Sequence, residues 1–449
     1  MNGLQLNTHS SEALLSLQDW SELEQLNSNK VSPPLKPWLK AQAINVTRHA
    51  AALKPFRYDE FGNGAASPAK AHIVSANQLI ISLRSQLKGL ARRVSKSSIE
   101  AIKNPQQAEL QRLLKQKDRA QHWVKLIEKI WDFYFEIFNQ RQTRFGGWLL
   151  GCDRIALDCY QVIYTHLGVA KSIPTPAPFS YMETGLTPAT YRRGIPLSKL
   201  GKQINPFPLI YLPYHRLVNP WTLGAILHEV SHDLQTDLNL RQAVPRAIAL
   251  NLLKAGIKRS VAFTWCRWHS EAWADMCGLL LGGPVMMGSL MDIAGRSPQA
   301  TFYFQPRKPH PTPYLRIFIL AELLRRLGFT TEANAYCQMW QHIYPNPRAG
   351  NIPLEILATF DRAKRIVVET VAFTPYSQLG GKTLAEATGK FGRQHQQMVR
   401  EAGGRIAAGN DPGIIPERFL IGASRWALNR KLATPEIITR NFYEALIKR

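Results

Sequence analysis

The stretch Trp221–Asp233 reads W-T-L-G-A-I-L-H-E-V-S-H-D. Trp221, Leu223, Ala225, Ile226 and Leu227 predict an apolar helix. Asn219 and Pro220 ahead of it read as its start, with Asn as N-cap and Pro at the first helical position. On that helix His228 and His232, four residues apart, share one face one turn apart. Two neutral imidazoles so placed are half of a tetrahedral zinc site. Glu229 lies about 100° further round, where its carboxylate can take a proton from water that zinc acidifies without itself being a ligand. Just upstream, Pro208–Pro213, P-L-I-Y-L-P, predicts a strand, a candidate for pairing with an extended peptide. Asp233 puts a charge directly after the second histidine, where it either faces solvent or orients a ligand.

A third ligand has to come from elsewhere. The metzincin pattern requires glycine three and histidine six residues after the second histidine. Gln235 and Leu238 stand there, so that class is excluded. Further on, His269–Asp275 reads H-S-E-A-W-A-D, with Glu271 and Asp275 again on one helix face. Ala272, Trp273, Ala274, Met276 and Cys277 make this helix largely apolar, so its charges need partners. Glu271 is the expected ligand. Asp275 is expected to accept a hydrogen bond from a ligand histidine and fix its tautomer. His269 is the rival ligand.

H-E-x-x-H followed by E-x-x-A-D resembles the gluzincin metallopeptidases, in motif the HtpX and CAAX-endopeptidase family, over about residues 205–325. The resemblance implies a zincin-like catalytic core, one catalytic zinc ion and hydrolysis of a protein or peptide substrate. It also implies roles for His310 and Arg316 in His310–Arg316, H-P-T-P-Y-L-R: both would face the substrate and the oxyanion, where a donor or cation stabilises developing charge. That family is embedded in membranes. Here the best spanning candidate, Met276–Met291, is short and interrupted by Gly278, Gly282, Gly283, Pro284 and Gly288. A spanning helix needs about 20 apolar residues, so this stretch reads as a buried helix, a turn and a second helix. No transmembrane segment is expected, and the family's membrane location and prenyl-protein substrate do not transfer.

The 449 residues, 45% hydrophobic, suffice for two or three domains with a sizeable core. Four segments are expected: 1–65, partly irregular; 66–170, helical; 171–345, the zincin-like metalloprotease core; and 346–449, helical again. Leu79, Ile80, Leu83, Leu87 and Leu90 recur at helical spacing in the second segment. The fold class is α+β, strongly α-rich. The five cysteines form no C-x-x-C pair, which predicts reduced thiols. With no evident signal peptide, a cytoplasmic or otherwise reducing compartment is expected, and delivery into another cell is left open. The net charge of +24 favours an acidic partner, nucleic acid or an anionic surface. Lys88, Arg92, Arg93 and Lys96, and later Arg418, Arg425, Arg430 and Lys431, read as solvated basic helix faces. Tyr214, His215 and Tyr303 are weaker candidates for lining a cleft, ordinary packing being the simpler reading of each. The residues together point to a zinc-dependent endopeptidase. The alternatives are a nucleic-acid-associated protease and a zinc-containing scaffold without catalysis.

Overall fold

The structure, a computed structural model, describes residues 34–168 and 171–449. Residues 1–33, half of the expected N-terminal segment, lie outside it. The chain is 68% helical and 4% strand, which makes it the α-rich α+β protein expected from its periodicity. Among the described residues no helix is long and apolar enough to cross a membrane.

The chain divides into two compact units. The first comprises described residues 34–62, 68–139 and 196–204. It is built on α1 (Leu35–Ala52), α2 (Lys70–Lys103) and α3 (Gln107–Asn139). Pro105, which cannot continue a helix, separates the two long helices. Ile80, Leu83, Leu87, Leu90 and Val94 form the buried stripe of α2, and Leu113, Ile127 and Ile130 that of α3. Ser98 Oγ donates to Leu39 O (2.6 Å), tying α1 to α2. A small hairpin, Pro196–Leu197 with Gln203–Ile204, completes the unit.

The second unit comprises residues 63–67, 140–195 and 205–449. The expected helical segment 66–170 is therefore shared out, since α4 (Gly146–Leu167) belongs here. Its sheet has three short strands, β1 (Phe179–Met182), β2 (Ala189–Tyr191) and β3 (Leu209–Leu212). β3 lies in the middle, parallel to β1 with Phe179 opposite Leu209, and antiparallel to β2 with Ala189 opposite Tyr211. That corrects the expectation for Pro208–Pro213: the strand exists, but both of its edges are taken by neighbours, so no peptide can add to it. The edge strands are β1 and β2.

The ten helices of ten or more residues that follow are α5 (Gly224–Asp237), α6 (Ala243–Lys254), α7 (Arg259–Gly282), α8 (Val285–Ala294), α9 (Pro313–Arg326), α10 (Thr330–Ile343), α11 (Leu354–Val368), α12 (Arg393–Ala407), α13 (Phe419–Asn429) and α14 (Pro435–Ile447). The start of α5 differs from expectation. Pro220–Thr222 is a separate 3₁₀ turn without a side-chain cap, and Asn219 Nδ2 donates instead to His215 O (2.8 Å). Met276–Met291 resolves as expected into the end of α7, a turn at Gly283 (φ 71°) and the start of α8. Every residue from Met276 to Met291 is buried, and the stretch supplies much of the core of this unit. Gly278 is where α7 meets α5. A Cβ added there would lie 3.2 Å from Met286 Cε and 3.4 Å from the His228 amide nitrogen, so even a methyl group would need the Met286 side chain to give way.

Two of the arginines expected on a solvated face are not there. Arg418 is buried against Asp158, and Arg425 pairs with Asp292 (2.6 Å). In a core this helical, cations near the C-terminus meet acids on α4 and α8 before they meet water.

Candidate metal centre

The site is built where α5 crosses α7, wholly within the second unit. His228 and His232 project from α5 with ring planes at 89° to one another and Nε2 atoms 3.2 Å apart. Glu271, from α7, closes the triangle. Its Oε2 is 3.4 Å from His228 Nε2 and its Oε1 is 3.4 Å from His232 Nε2. The three donor atoms lie within 4.8 Å of one another and could hold a metal ion. His269, the rival ligand, turns away, with Nδ1 2.7 Å from Cys266 O. It stands one position before Ser270 and two before Glu271, so it leaves α7 in a different direction.

Each histidine is braced from behind. Asp275 Oδ1 is 2.9 Å from His228 Nδ1. Asp275 is itself gripped by Arg316 from α9, which donates through Nε (2.8 Å) and Nη2 (2.7 Å). On the other ligand, Ser270 Oγ donates to Gln235 Oε1 (3.2 Å) and sits 3.2 Å from His232 Nδ1. With its proton directed to Gln235, the hydroxyl is left to accept from Nδ1–H. That places the bare lone pair of His232 on Nε2, facing Glu271.

Burial and charge shape the electrostatics. Burial pushes the Glu229 carboxyl up to about 7, against the pull of His228 and Arg192. Burial likewise lowers His232, to about 4. For His228 the desolvation penalty is outweighed by Asp275 and Glu271, which hold it at about 10. For Asp275 it is outweighed by Arg316 and His228, which keep the carboxylate below its ordinary range. Glu229, Glu271 and Asp275 are thus three buried carboxyl groups around two imidazoles, with the Arg316 guanidinium committed to Asp275. Two imidazole nitrogens and a carboxylate suit zinc. A calcium or magnesium site would be built of oxygens.

Asp233 neither faces solvent nor touches a ligand. It is buried and accepts a hydrogen bond from Thr190 Oγ1 (2.9 Å), and burial raises its carboxyl well above the usual range. The backbone of Thr190 also favours the charged form of the Glu229 carboxyl, against its burial. Through Asp233, one residue of edge strand β2 thereby anchors α5 beside the expected base.

A cleft of about 670 Å³ opens onto His228, Glu229 and Glu271. Thr187 and Pro188 line it ahead of β2, and Tyr303, Lys308 and His310 line it on the loop before α9. His310 is exposed, with Nε2 3.4 Å from Glu271 Oε2. Arg316 also reaches the cleft, but its fork is committed to Asp275, leaving Nη2 3.9 Å from Glu271. Tyr214 and His215 are not among the lining residues. Tyr214 packs edge-on against Phe145 instead (centroids 5.5 Å apart).

Ser270, Gln235 and Thr190 escaped the sequence reading. Ser270 and Gln235 each stand next to or three residues from a ligand, so helical spacing carried a signal for them. Thr190 carried none, because it reaches the site from another element.

No protein-family model, curated protein or solved structure matches the chain.

Proposed function

We propose that the chain is a zinc-dependent endopeptidase with a zincin-like core of the gluzincin kind. The observation that carries this reading is the convergence of His228 Nε2, His232 Nε2 and the Glu271 carboxylate beside Glu229, at the floor of an open cleft. A bound zinc ion would supply Lewis acidity, polarising a peptide carbonyl and lowering the pKa of water.

His228, His232 and Glu271 would hold the ion. Asp275 and Ser270 would fix the two imidazole tautomers, and Arg316 would keep Asp275 ionised and in place. Glu229 would take the proton from the attacking water and hand it to the leaving amine, a task suited to a carboxyl held near 7. His310, on its exposed loop, is the donor placed to meet charge that develops on the substrate oxygen. β2, the edge strand next to Thr187 and Pro188, replaces β3 as the strand along which an extended peptide would lie.

A closed structural site is the competing reading, and the donor count speaks against it. The metal-binding group found among the described residues has three members rather than four, and it faces a cleft. The five free cysteines support a reducing compartment, cytoplasmic or equivalent.

The test is a zinc-loaded sample incubated with a denatured protein mixture, with new N-termini identified by mass spectrometry. Wild type should generate them. Glu229→Gln should bind zinc stoichiometrically, melt at the wild-type temperature and cleave at least about 10³-fold more slowly. Wild-type hydrolysis by folded, zinc-loaded Glu229→Gln would overturn the assignment.

A further inference from the structure

We propose that the solvent face of α2 binds the phosphate backbone of double-stranded DNA. The inference concerns the first unit and does not depend on the peptidase reading.

α2 carries one row of cations. Lys88, Arg92 and Lys96 follow one another at four-residue spacing, and Lys103 continues the same side, so the row extends about 22 Å along the axis. Arg93 flanks it. Arg92, Arg93, Lys96 and Lys103 are exposed and Lys88 is half-buried. The row lies opposite the buried stripe of Ile80, Leu83, Leu87 and Leu90, so the packing of the helix turns it outward.

The charge on this face is uncompensated. The one acid in α2, Glu100, lies beside Arg112 of α3 (3.7 Å). None of the five cations forms an ion pair or hydrogen bond through its side chain with another described residue. The neighbouring face of α3 behaves differently. There Asp118, Glu128 and Asp132 are interspersed with Lys115, Arg119, Lys125 and Lys129. An ordinary solvated helix face has the mixed pattern of α3, and α2 does not.

The shape of the row selects the partner. A membrane-binding helix needs a broad apolar face between its cations. Ile81 is the only large apolar side chain exposed on α2, and α3 exposes none. On a helix of 34 residues the row is continuous and regularly spaced, which matches a regular, stiff polyanion. Ser85 and Gly89 lie among the cations and place no bulk before a phosphate. Contacts of this type position a protein on DNA and carry no base sequence.

The test is fluorescence anisotropy of the full-length protein with a labelled 30-base-pair duplex between 50 and 200 mM salt. Engagement of about four phosphates predicts a log–log salt slope of about −3.6. Changing Lys88, Arg92 and Lys96 together to Gln should weaken binding about tenfold or more and flatten the slope by about 2.7. A control with the same loss of charge, Arg430, Lys431 and Lys448 to Gln, should stay within about twofold of wild type. Circular dichroism verifies that both variants fold. Three results would each overturn the proposal: no binding by wild type at 50 mM salt, equal losses in the α2 variant and the control, or capture by phosphatidylserine vesicles without capture by the duplex.

Discussion

Two buried Arg–Asp pairs sit in the second unit and do different work. Arg418 places Nη1 2.8 and 2.9 Å from the two oxygens of Asp158, its own amide donates to Asp158 Oδ2 (3.0 Å), and its Nε donates to Leu281 O (3.0 Å). Every contact is to the chain, and the pair ties the start of α13 to α4 and to the end of α7. Arg316 grips Asp275 as firmly, yet Asp275 Oδ1 is also 2.9 Å from a histidine that faces a cleft. The carboxyl groups respond in opposite directions. Burial raises Asp158 despite Arg418, whereas Arg316 and His228 together overcome burial and lower Asp275. A buried ion pair is thus structural by default. It joins a site when its carboxylate has a second, proton-exchanging partner.

The largest expected effect lies on the structural pair. Arg418→Met leaves Asp158 buried without its partner and should cost about 3–5 kcal/mol in urea unfolding, with zinc affinity of the folded protein unchanged. A loss below about 1 kcal/mol would break the comparison. Chelation comes next. At zinc 100-fold above its dissociation constant, binding should stabilise the fold by about 2.7 kcal/mol, seen as a drop in Tm when chelator is added. Identical melting with and without zinc would remove the metal from the centre altogether.

Asp275→Asn should lower zinc affinity about 10–100-fold in competition with a chelating dye. Asp158→Asn should leave that affinity within about twofold. Equal effects from the two asparagines would show that Asp275 acts through general stability, not through His228. The smallest change expected is at Ser270→Ala, which leaves His232 Nδ1 without its acceptor and should weaken zinc by a few-fold, about 1 kcal/mol or less.

Much of the site could be read along the chain because helices convert spacing into direction. His228 with His232, and Glu271 with Asp275, lie four residues apart on single helices, so each pair had to share a face. The α-rich class and the two long helices of the first unit followed from apolar recurrence and Pro105. Other parts could not be read this way. The role of Arg316 depends on where α9 meets α7, and the structure sets it against Asp275 instead of free in the cleft. Asp233 looked anomalous until Thr190 of β2 supplied its partner. Pro208–Pro213 was recognisable as a strand, but strand order is a property of the sheet, and the middle position of β3 leaves the edges to β1 and β2. Arg418 and Arg425 looked like solvated cations because their acids lie more than a hundred residues away in sequence.

H-E-V-S-H by itself determined a two-histidine face with an acid beside it, since the geometry of one helix needs no other part of the chain. The tertiary structure alone decided that Glu271 meets both imidazoles, that Ser270 and Asp275 stand behind them, and that the cleft opens over Glu229. Those are distances between α5, α7, α9 and β2. Such distances come from packing, here from the close approach that Gly278 permits, and packing is a cooperative property of the folded core that no local spacing encodes.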